Sequence, residues 1–172
     1  TIDGTMASIA DMLSFRLVEV AKYVTYAPLG LYFSTSNFTV AKPTWDSLSA
    51  EDRAAMTRAA NRANADFTHR WGTTMPEEAQ AASEEAGVEF IEADPAFVEE
   101  IKTFVENDIE TAGTYSQEQF GIEDAPQQIE DFLALVDKWT AIAEEENNDP
   151  QAMAERVYEE VWSKVDYATY GQ

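Results

Sequence analysis

One stretch of this sequence is rich in residues that favour β-strands, whereas the rest is patterned for helices. The stretch covers about residues 23 to 40, opens with the run Tyr-Val-Thr-Tyr and is interrupted by Pro28 and Gly30. Because two strands alone make no stable sheet, it must either join strands from another segment or lie on a helical layer. The sequence therefore predicts a mainly helical chain with a small β element, to which Val88–Ile91 adds a brief strand.

Apolar spacing and capping signals predict the helices. Apolar residues three and four apart predict an amphipathic helix over residues 6–22. Ser49, with Asp three residues later, has the form of a capping box and begins a long helix that we expect to end at Gly72. Asp94 and Asp149 each precede a proline, which is the pattern of an N-cap followed by first-turn Pro. Core packing is expected for the four tryptophans, which are Trp45, Trp71, Trp139 and Trp162.

The composition excludes several classes of function. Asp and Glu total 33 against 11 Lys and Arg, for a net charge of −22, so no basic surface is available for nucleic acid. The chain has no Cys and one His, which excludes disulfides, thiolate nucleophiles and multi-His metal sites built from this chain alone. His69 is expected to be a surface or capping residue. We therefore expect no catalysis, no metal and no cofactor.

The distribution of charge, the length of the apolar runs and the first residues indicate the surroundings in which the chain works. The negative charge is spread along the helical segments and indicates a solvated surface. The longest apolar run is too short to span a bilayer. The chain begins at Thr1 with neither an initiator Met nor a signal segment, so we expect a processed or truncated end.

Aromatic residues are concentrated in the β-rich stretch. On an extended segment beside Pro and Gly, such residues can line a small-molecule cleft, and ordinary strand packing is the alternative. The aromatic residues are Tyr23, Tyr26, Tyr32, Phe33 and Phe38.

Several short motifs follow one another in a particular order. They are Ile2-Asp3-Gly4, the helix end Glu19 to Thr25, Trp45-Asp46-Ser47-Leu48, Ala59-Ala60, Glu84 to Val88, and Asp94-Pro95-Ala96-Phe97. In order and spacing they resemble the C-terminal half of the DctP-type solute-binding proteins that serve TRAP transporters. The similarity is strongest from Asp3 to Phe97 and looser afterwards.

The resemblance implies an α/β, periplasmic-binding-protein-like fold with two lobes that close on a small organic acid. Such a protein works in the periplasm, delivers its ligand to a TRAP membrane permease and does no chemistry. The N-terminal half of the same protein, with the arginine that clamps the ligand carboxylate, would lie upstream, and its strands would pair with the β-rich stretch. Residues 1–25 would then end the second ligand lobe and start the hinge, 26–116 would return to the lobes, and 117–172 would be C-terminal bracing helices.

The resemblance also assigns candidate site residues. Thr5, Met6 and Ala7 follow the Asp-Gly pair at cleft-facing positions, and their small or apolar side chains predict a ligand face without a metal ion. Tyr26 is a further ligand-binding candidate, with strand packing as the alternative. No arginine of the chain lies in the context of the clamp motif, so that role is assigned to none.

The expected mechanism is hinge closure. Thr25, Pro28 and Gly30 are the hinge candidates, because the segment from 22 to 33 would cross between the lobes. The alternative to a binding protein is a free-standing acidic helical module for protein interaction, which would fold alone with a continuous core and no cleft.

Overall fold

The structure is a computed structural model and describes residues 3–29 and 38–171. The described residues form helices with one small sheet. In chain order the elements are α1 (Asp11–Ser14), β1 (Tyr23–Tyr26), α2 (Lys42–Ser47), α3 (Ala50–His69), α4 (Met75–Glu85), β2 (Glu89–Glu92), α5 (Pro95–Phe120), α6 (Ala125–Glu145) and α7 (Pro150–Glu160).

The first segment is less helical than its apolar spacing predicts. The helix predicted over residues 6–22 is wrong, because that segment contains the single turn α1 and a 3₁₀ turn at Leu17–Glu19. Between them Arg16 has a φ of 57°, a left-handed conformation that a right-handed helix cannot include. Met6 and Val20, which the pattern placed on one helical face, are 80% and 75% exposed.

The sheet consists of β1 and β2, which pair in parallel from Tyr23 opposite Glu89 to Tyr26 opposite Glu92. The predicted strands at both places are confirmed. The partner of β1 comes from another segment of this chain, whereas the family resemblance predicted partners from outside it. In the rest of the β-rich stretch, residues 27–29 and 38–40 form no strand. Residues 30–37 lie outside the described residues.

The three predicted N-caps are confirmed. The side chains of Ser49, Asp94 and Asp149 accept hydrogen bonds from backbone N–H groups two or three residues further on, at 3.1, 2.8 and 2.8 Å. Each bond satisfies a donor that the first turn of a helix leaves unpaired. The starts of α3, α5 and α7 are therefore determined locally.

Glycine ends a helix here where its φ is positive. Gly87 (φ 81°) follows the last turn of α4, and Gly121 (φ 68°) caps α5. The helix end predicted at Gly72 is wrong, because a π-helical turn, Arg70–Thr74, leads from α3 directly into α4. Gly72 has no positive φ, so nothing in its backbone stops the helix.

The chain divides into two compact units. Unit 1 comprises Thr1–Ala10, Tyr32–Gln80 and Ile142–Gln172, and unit 2 comprises Asp11–Leu31 and Ala81–Ala141. In unit 1, α3 packs against α7, and Asn61 Nδ2 donates to the Ala154 carbonyl at 2.7 Å. Unit 2 contains the β1–β2 sheet. The predicted divisions after residues 25 and 116 concern a larger protein and stay predictions.

Small side chains dominate the buried positions. The buried apolar residues are Ala10, Met12, Ala79, Val88, Ala125, Ile142 and Ala154. The four tryptophans, predicted to pack in the core, are each half-buried instead. No helix among the described residues has the length and apolarity needed to cross a membrane.

Candidate ligand-binding site

Tyr26 lies at the end of β1 and is partly open to solvent. Its ring stacks on Phe90 of β2, with centroids 5.6 Å apart and 17° between the planes, and the residue is 37% exposed. Side chains alternate between the two faces of a strand, so the register places Val24, Tyr26, Phe90 and Glu92 on one face of the sheet. The stacking on Phe90 is the strand packing that the sequence offered as the alternative, and the role of Tyr26 in ligand contact stays a prediction.

Two carboxylates act on this tyrosine. Burial raises the pKa of the Tyr26 hydroxyl above its ordinary value, and the carboxylates of Glu84 and Glu92 raise it further. Glu84 belongs to the last turn of α4, and Glu92 ends β2 opposite Tyr26. The site at the end of β1 is therefore aromatic and negatively charged, and the Tyr26 hydroxyl stays protonated there beyond its usual range.

The other three predicted ligand contacts lie in an irregular segment before α1. Thr5, Met6 and Ala7 are exposed, and the Thr5 hydroxyl donates to the Met6 carbonyl at 3.4 Å. They belong to unit 1, whereas Tyr26 belongs to unit 2. The shared cleft that the sequence predicts for all four residues stays a prediction.

Two of the three hinge candidates are described. Thr25 lies within β1, opposite Ile91, and Pro28 follows two residues after the strand ends. Gly30 lies outside the described residues. Their role in a hinge stays a prediction.

Arg53 is the residue whose importance sequence reasoning missed. It is 3% exposed, and its guanidinium lies 5.7 Å from the centre of the Trp45 ring. Its nitrogens donate to four backbone carbonyls, those of Trp45 (3.0 Å), Asp46 (3.3 Å), Tyr167 (3.2 Å) and Ala168 (3.4 Å).

These contacts make Arg53 a structural link rather than a ligand clamp. An arginine that serves a ligand carboxylate presents its two-pronged donor edge to that ligand. The donors of Arg53 instead join α3 to residues more than a hundred positions later. The nearby Trp-Asp-Ser-Leu motif was the available signal, because it supplies two of the carbonyls, but no local pattern reveals the other two.

A concave surface lies between α3 and α7 in unit 1. It has a volume of about 280 Å³ and carries charges of both signs. Its lining residues are Arg58, Asn61, Arg62, Ala154, Glu155, Tyr158 and Glu159. Arg62 already contacts Gln151 and Asp66, at 3.4 and 3.7 Å.

The single histidine makes a polar contact with the backbone. His69 is the last residue of α3, and its Nδ1 lies 3.0 Å from the Asn148 carbonyl. The His69 side chain is half-buried. Within residues 3–29 and 38–171, no group of three or more His, Asp or Glu residues is arranged to hold a metal ion.

Comparison with protein-family models decides the identity of the chain. Residues 1–117, more than half of its length, match the model of the bacterial extracellular solute-binding proteins of family 7, the DctP family. The chain belongs to this family. No curated protein and no solved structure matches the chain significantly.

Family membership confirms the resemblance read from the motif order. DctP proteins are extracytoplasmic, non-catalytic solute-binding components of TRAP transporters, and their fold is that of the periplasmic binding proteins. The matched region includes three features that the motifs identified, which are β1, the Trp45–Leu48 segment at the end of α2 and the Asp94 cap of α5. It ends within α5, so α6 and α7 lie beyond it.

Proposed function

We propose that this chain belongs to a periplasmic binding protein that captures a small organic acid and delivers it to a TRAP permease. The match of residues 1–117 to the DctP family carries this proposal. Two lobes trap the ligand, and the permease prefers the closed form. Ligand binding drives the closure because affinity differs between the open and closed states.

The sheet supports a further part of the proposal, that an N-terminal half of the same protein completes the fold. Parallel sheets are normally covered on both faces and contain more than two strands. Here the described residues supply two, and Tyr23 and Ile91 on one face are 63% and 39% exposed. Strands and helices of the N-terminal half would extend and cover this sheet.

Within that protein we assign ligand contact to Thr5, Met6, Ala7 and Tyr26. The exposure of all four side chains supports the assignment. Closure would use Thr25, Pro28 and Gly30, since Thr25 and Pro28 lie at and just after the end of the strand that carries Tyr26. The free-standing interaction module is less well supported, because it requires a continuous core whereas the chain divides into two units.

The test is a thermal-shift screen of the chain, alone and co-expressed with its N-terminal half, against a panel of small organic acids. A ligand that binds the folded state raises the melting temperature with concentration. We expect a rise for at least one acid with both halves present, and a one-to-one complex of the halves in a native mass spectrum. If no acid shifts the melting temperature of that complex, the proposed function is wrong.

The hinge assignment has its own test. Pro28→Ala and Gly30→Ala should change the affinity for the identified acid although neither residue contacts it, whereas the control Gly72→Ala should not. Unchanged affinity in both hinge variants would reject the assignment. Affinity should also hold in high salt, since the negative surface does not attract an anion, and a steep loss with salt would indicate a purely electrostatic contact.

A further inference from the structure

The concave surface between α3 and α7, here named the α3–α7 groove, is bounded by contacts that hold the two helices together. Arg53 near the start of α3 donates to the Tyr167 carbonyl, which follows α7. Asn61, further along α3, donates to the Ala154 carbonyl within α7. The two helices therefore run antiparallel, and these contacts fix their separation on both sides of the groove. The groove is a formed feature of unit 1, with a volume of about 280 Å³.

Each helix lines the α3–α7 groove with charges of one sign. Arg58 and Arg62 are four residues apart on α3, so they lie on the same side of that helix. Glu155 and Glu159 have the same spacing on α7. Tyr158, which is half-buried, also lines the groove from α7. The groove thus has a cationic wall, and an anionic wall that includes a phenol hydroxyl.

Several of these polar groups have no partner in the described part of the chain. Within residues 3–29 and 38–171, the Arg58 guanidinium and the Tyr158 hydroxyl make no hydrogen bond and no ion pair. The Glu159 carboxylate makes none either, since only its backbone carbonyl accepts a hydrogen bond. The Glu155 carboxylate accepts from Gln151 at 3.4 Å. The two walls therefore carry opposite charges across the groove without pairing with each other through Arg58.

This arrangement selects a ligand that carries both signs of charge. A simple anion would gain from Arg58 but would meet two carboxylates, and a simple cation would meet the reverse. A zwitterion gains from both walls, because its carboxylate can accept two hydrogen bonds from a guanidinium and its ammonium group can donate to carboxylates. The volume is below the roughly 300–1,000 Å³ of pockets for drug-sized ligands, so the ligand must be compact.

We propose that the α3–α7 groove binds a small amino acid. The carboxylate of the amino acid accepts from the Arg58 guanidinium, and its ammonium group donates to Glu155 and Glu159. The residues that we assign to contact with the transported solute do not line this groove. It is therefore a separate binding site, and the inference does not depend on the proposed function.

The test compares L-alanine with its two halves as probes of the 172-residue chain. Propionate lacks the ammonium group, and ethylammonium lacks the carboxylate. Binding is followed by NMR titration of the Tyr158 ring signals at constant ionic strength, and the backbone amide signals of α3 and α7 show that unit 1 is folded in each sample. We expect L-alanine to shift the Tyr158 signals saturably, and each half to bind about tenfold more weakly or less.

Matched variants separate a site from a general effect of charge. Arg58→Gln and Arg70→Gln each remove one exposed positive charge, but Arg70 does not line the groove. Arg58→Gln should weaken L-alanine binding about tenfold, and Arg70→Gln less than twofold. Glu159→Gln should also weaken it, whereas the control Glu51→Gln, at an exposed position on α3, should not. All four positions are exposed, so each variant should fold.

Three results would overturn the inference. If L-alanine causes no saturable shift in the folded chain, the polar groups of the two walls are simply solvated. Equal weakening by Arg58→Gln and Arg70→Gln would show that net charge alone attracts the probe. Propionate binding as tight as that of L-alanine would show that the ammonium group contributes nothing. The proposed function is tested separately, because Arg58→Gln should leave the response of the two-half complex to organic acids in the thermal screen unchanged.

Discussion

Unit 1 and unit 2 hold distant parts of the chain together by different contacts. In unit 1, Arg53 and Trp45 bind the C-terminal segment through hydrogen bonds, and the Trp45 Nε1–H donates to the Tyr170 carbonyl at 2.9 Å. In unit 2, the long-range connection is the parallel pair of β1 and β2. Most of the large apolar side chains that are exposed also belong to unit 2, among them Phe104 and Phe120 at 68% and 69%.

The difference indicates how the two units depend on the rest of the protein. Unit 1 satisfies its buried cation with its own carbonyls. Unit 2 leaves apolar surface exposed to water, which is unfavourable. Such exposure is expected for a surface that the proposed N-terminal half would bury. Changes at the internal bonds of unit 1 should therefore cost stability, whereas changes at the exposed apolar side chains of unit 2 should cost little.

The largest loss is expected from Arg53→Met. The substitution keeps an unbranched side chain in place but removes the donors to four backbone carbonyls. Buried acceptors left unpaired should lower the free energy of unfolding by about 3 kcal/mol. Urea denaturation measures it, with the exposed Arg58→Met on the same helix as control, expected within about 0.5 kcal/mol of the parent. Equal losses of stability in the two variants would contradict the conclusion that the Arg53 hydrogen bonds stabilise unit 1.

Gly171→Ala should be the next most costly change. Gly171 has a φ of 75°, and an added Cβ would lie 2.7 Å from Trp45 Nε1. Backbone strain and this close approach should together lower stability by about 2 kcal/mol. Gly72→Ala is the control, because a Cβ there meets no atom within 4 Å and its φ is not positive. A Gly171 variant as stable as the Gly72 variant would show that the C-terminal segment is not held against Trp45.

One aspartate N-cap in each unit allows the stabilities of the two units to be compared directly. Asp149→Ala in unit 1 and Asp94→Ala in unit 2 each remove one 2.8 Å side-chain bond to a backbone N–H. Each should lower stability by about 1 kcal/mol. Thermal unfolding followed by circular dichroism measures both losses. If the units unfold separately, each variant should lower the midpoint of only one of two transitions. A single transition that both variants lower would show that the units unfold together.

A smaller effect is expected from Phe104→Ser. Phe104 is 68% exposed on α5, so removing its ring should change the free energy of unfolding by less than about 0.5 kcal/mol. Binding of a hydrophobic dye should fall. Met12→Ala in the same unit is the contrast, since Met12 is 5% exposed and its truncation should cost about 2 kcal/mol or more. A large loss from Phe104→Ser would mean that its ring packs inside unit 2.

The smallest effect is the pH dependence at Tyr26. Because its pKa is raised in the folded chain, the folded state holds this proton more tightly than the unfolded state. The resulting stability is present below the unfolded pKa of about 10 and is lost as the pH rises through the folded pKa. NMR titration of the Tyr26 ring checks the direction. Glu92→Gln should lower this pKa in part, because burial is the larger cause, and a pKa at or below the ordinary value would contradict the prediction.

Local features were predictable because their partners are close in sequence. The caps at Ser49, Asp94 and Asp149 use backbone groups two or three residues away, and the strand at Tyr23–Tyr26 follows from side-chain preference. The predicted helix over 6–22 failed for a reason that apolar spacing does not report, the left-handed backbone of Arg16.

Tertiary contacts decided the rest. The sequence by itself determined the acidic surface, the capped starts of α3, α5 and α7, the position of β1 and the motif order that identifies a DctP protein, because these depend on composition or on near neighbours. The parallel pairing of β1 with β2, the stacking of Tyr26 on Phe90 and the burial of Arg53 beneath Trp45 and the C-terminal segment became visible in the structure alone. Those contacts join residues tens to more than a hundred positions apart. No local pattern encodes which distant group will pair with a given hydrogen-bond donor or stack on a given ring.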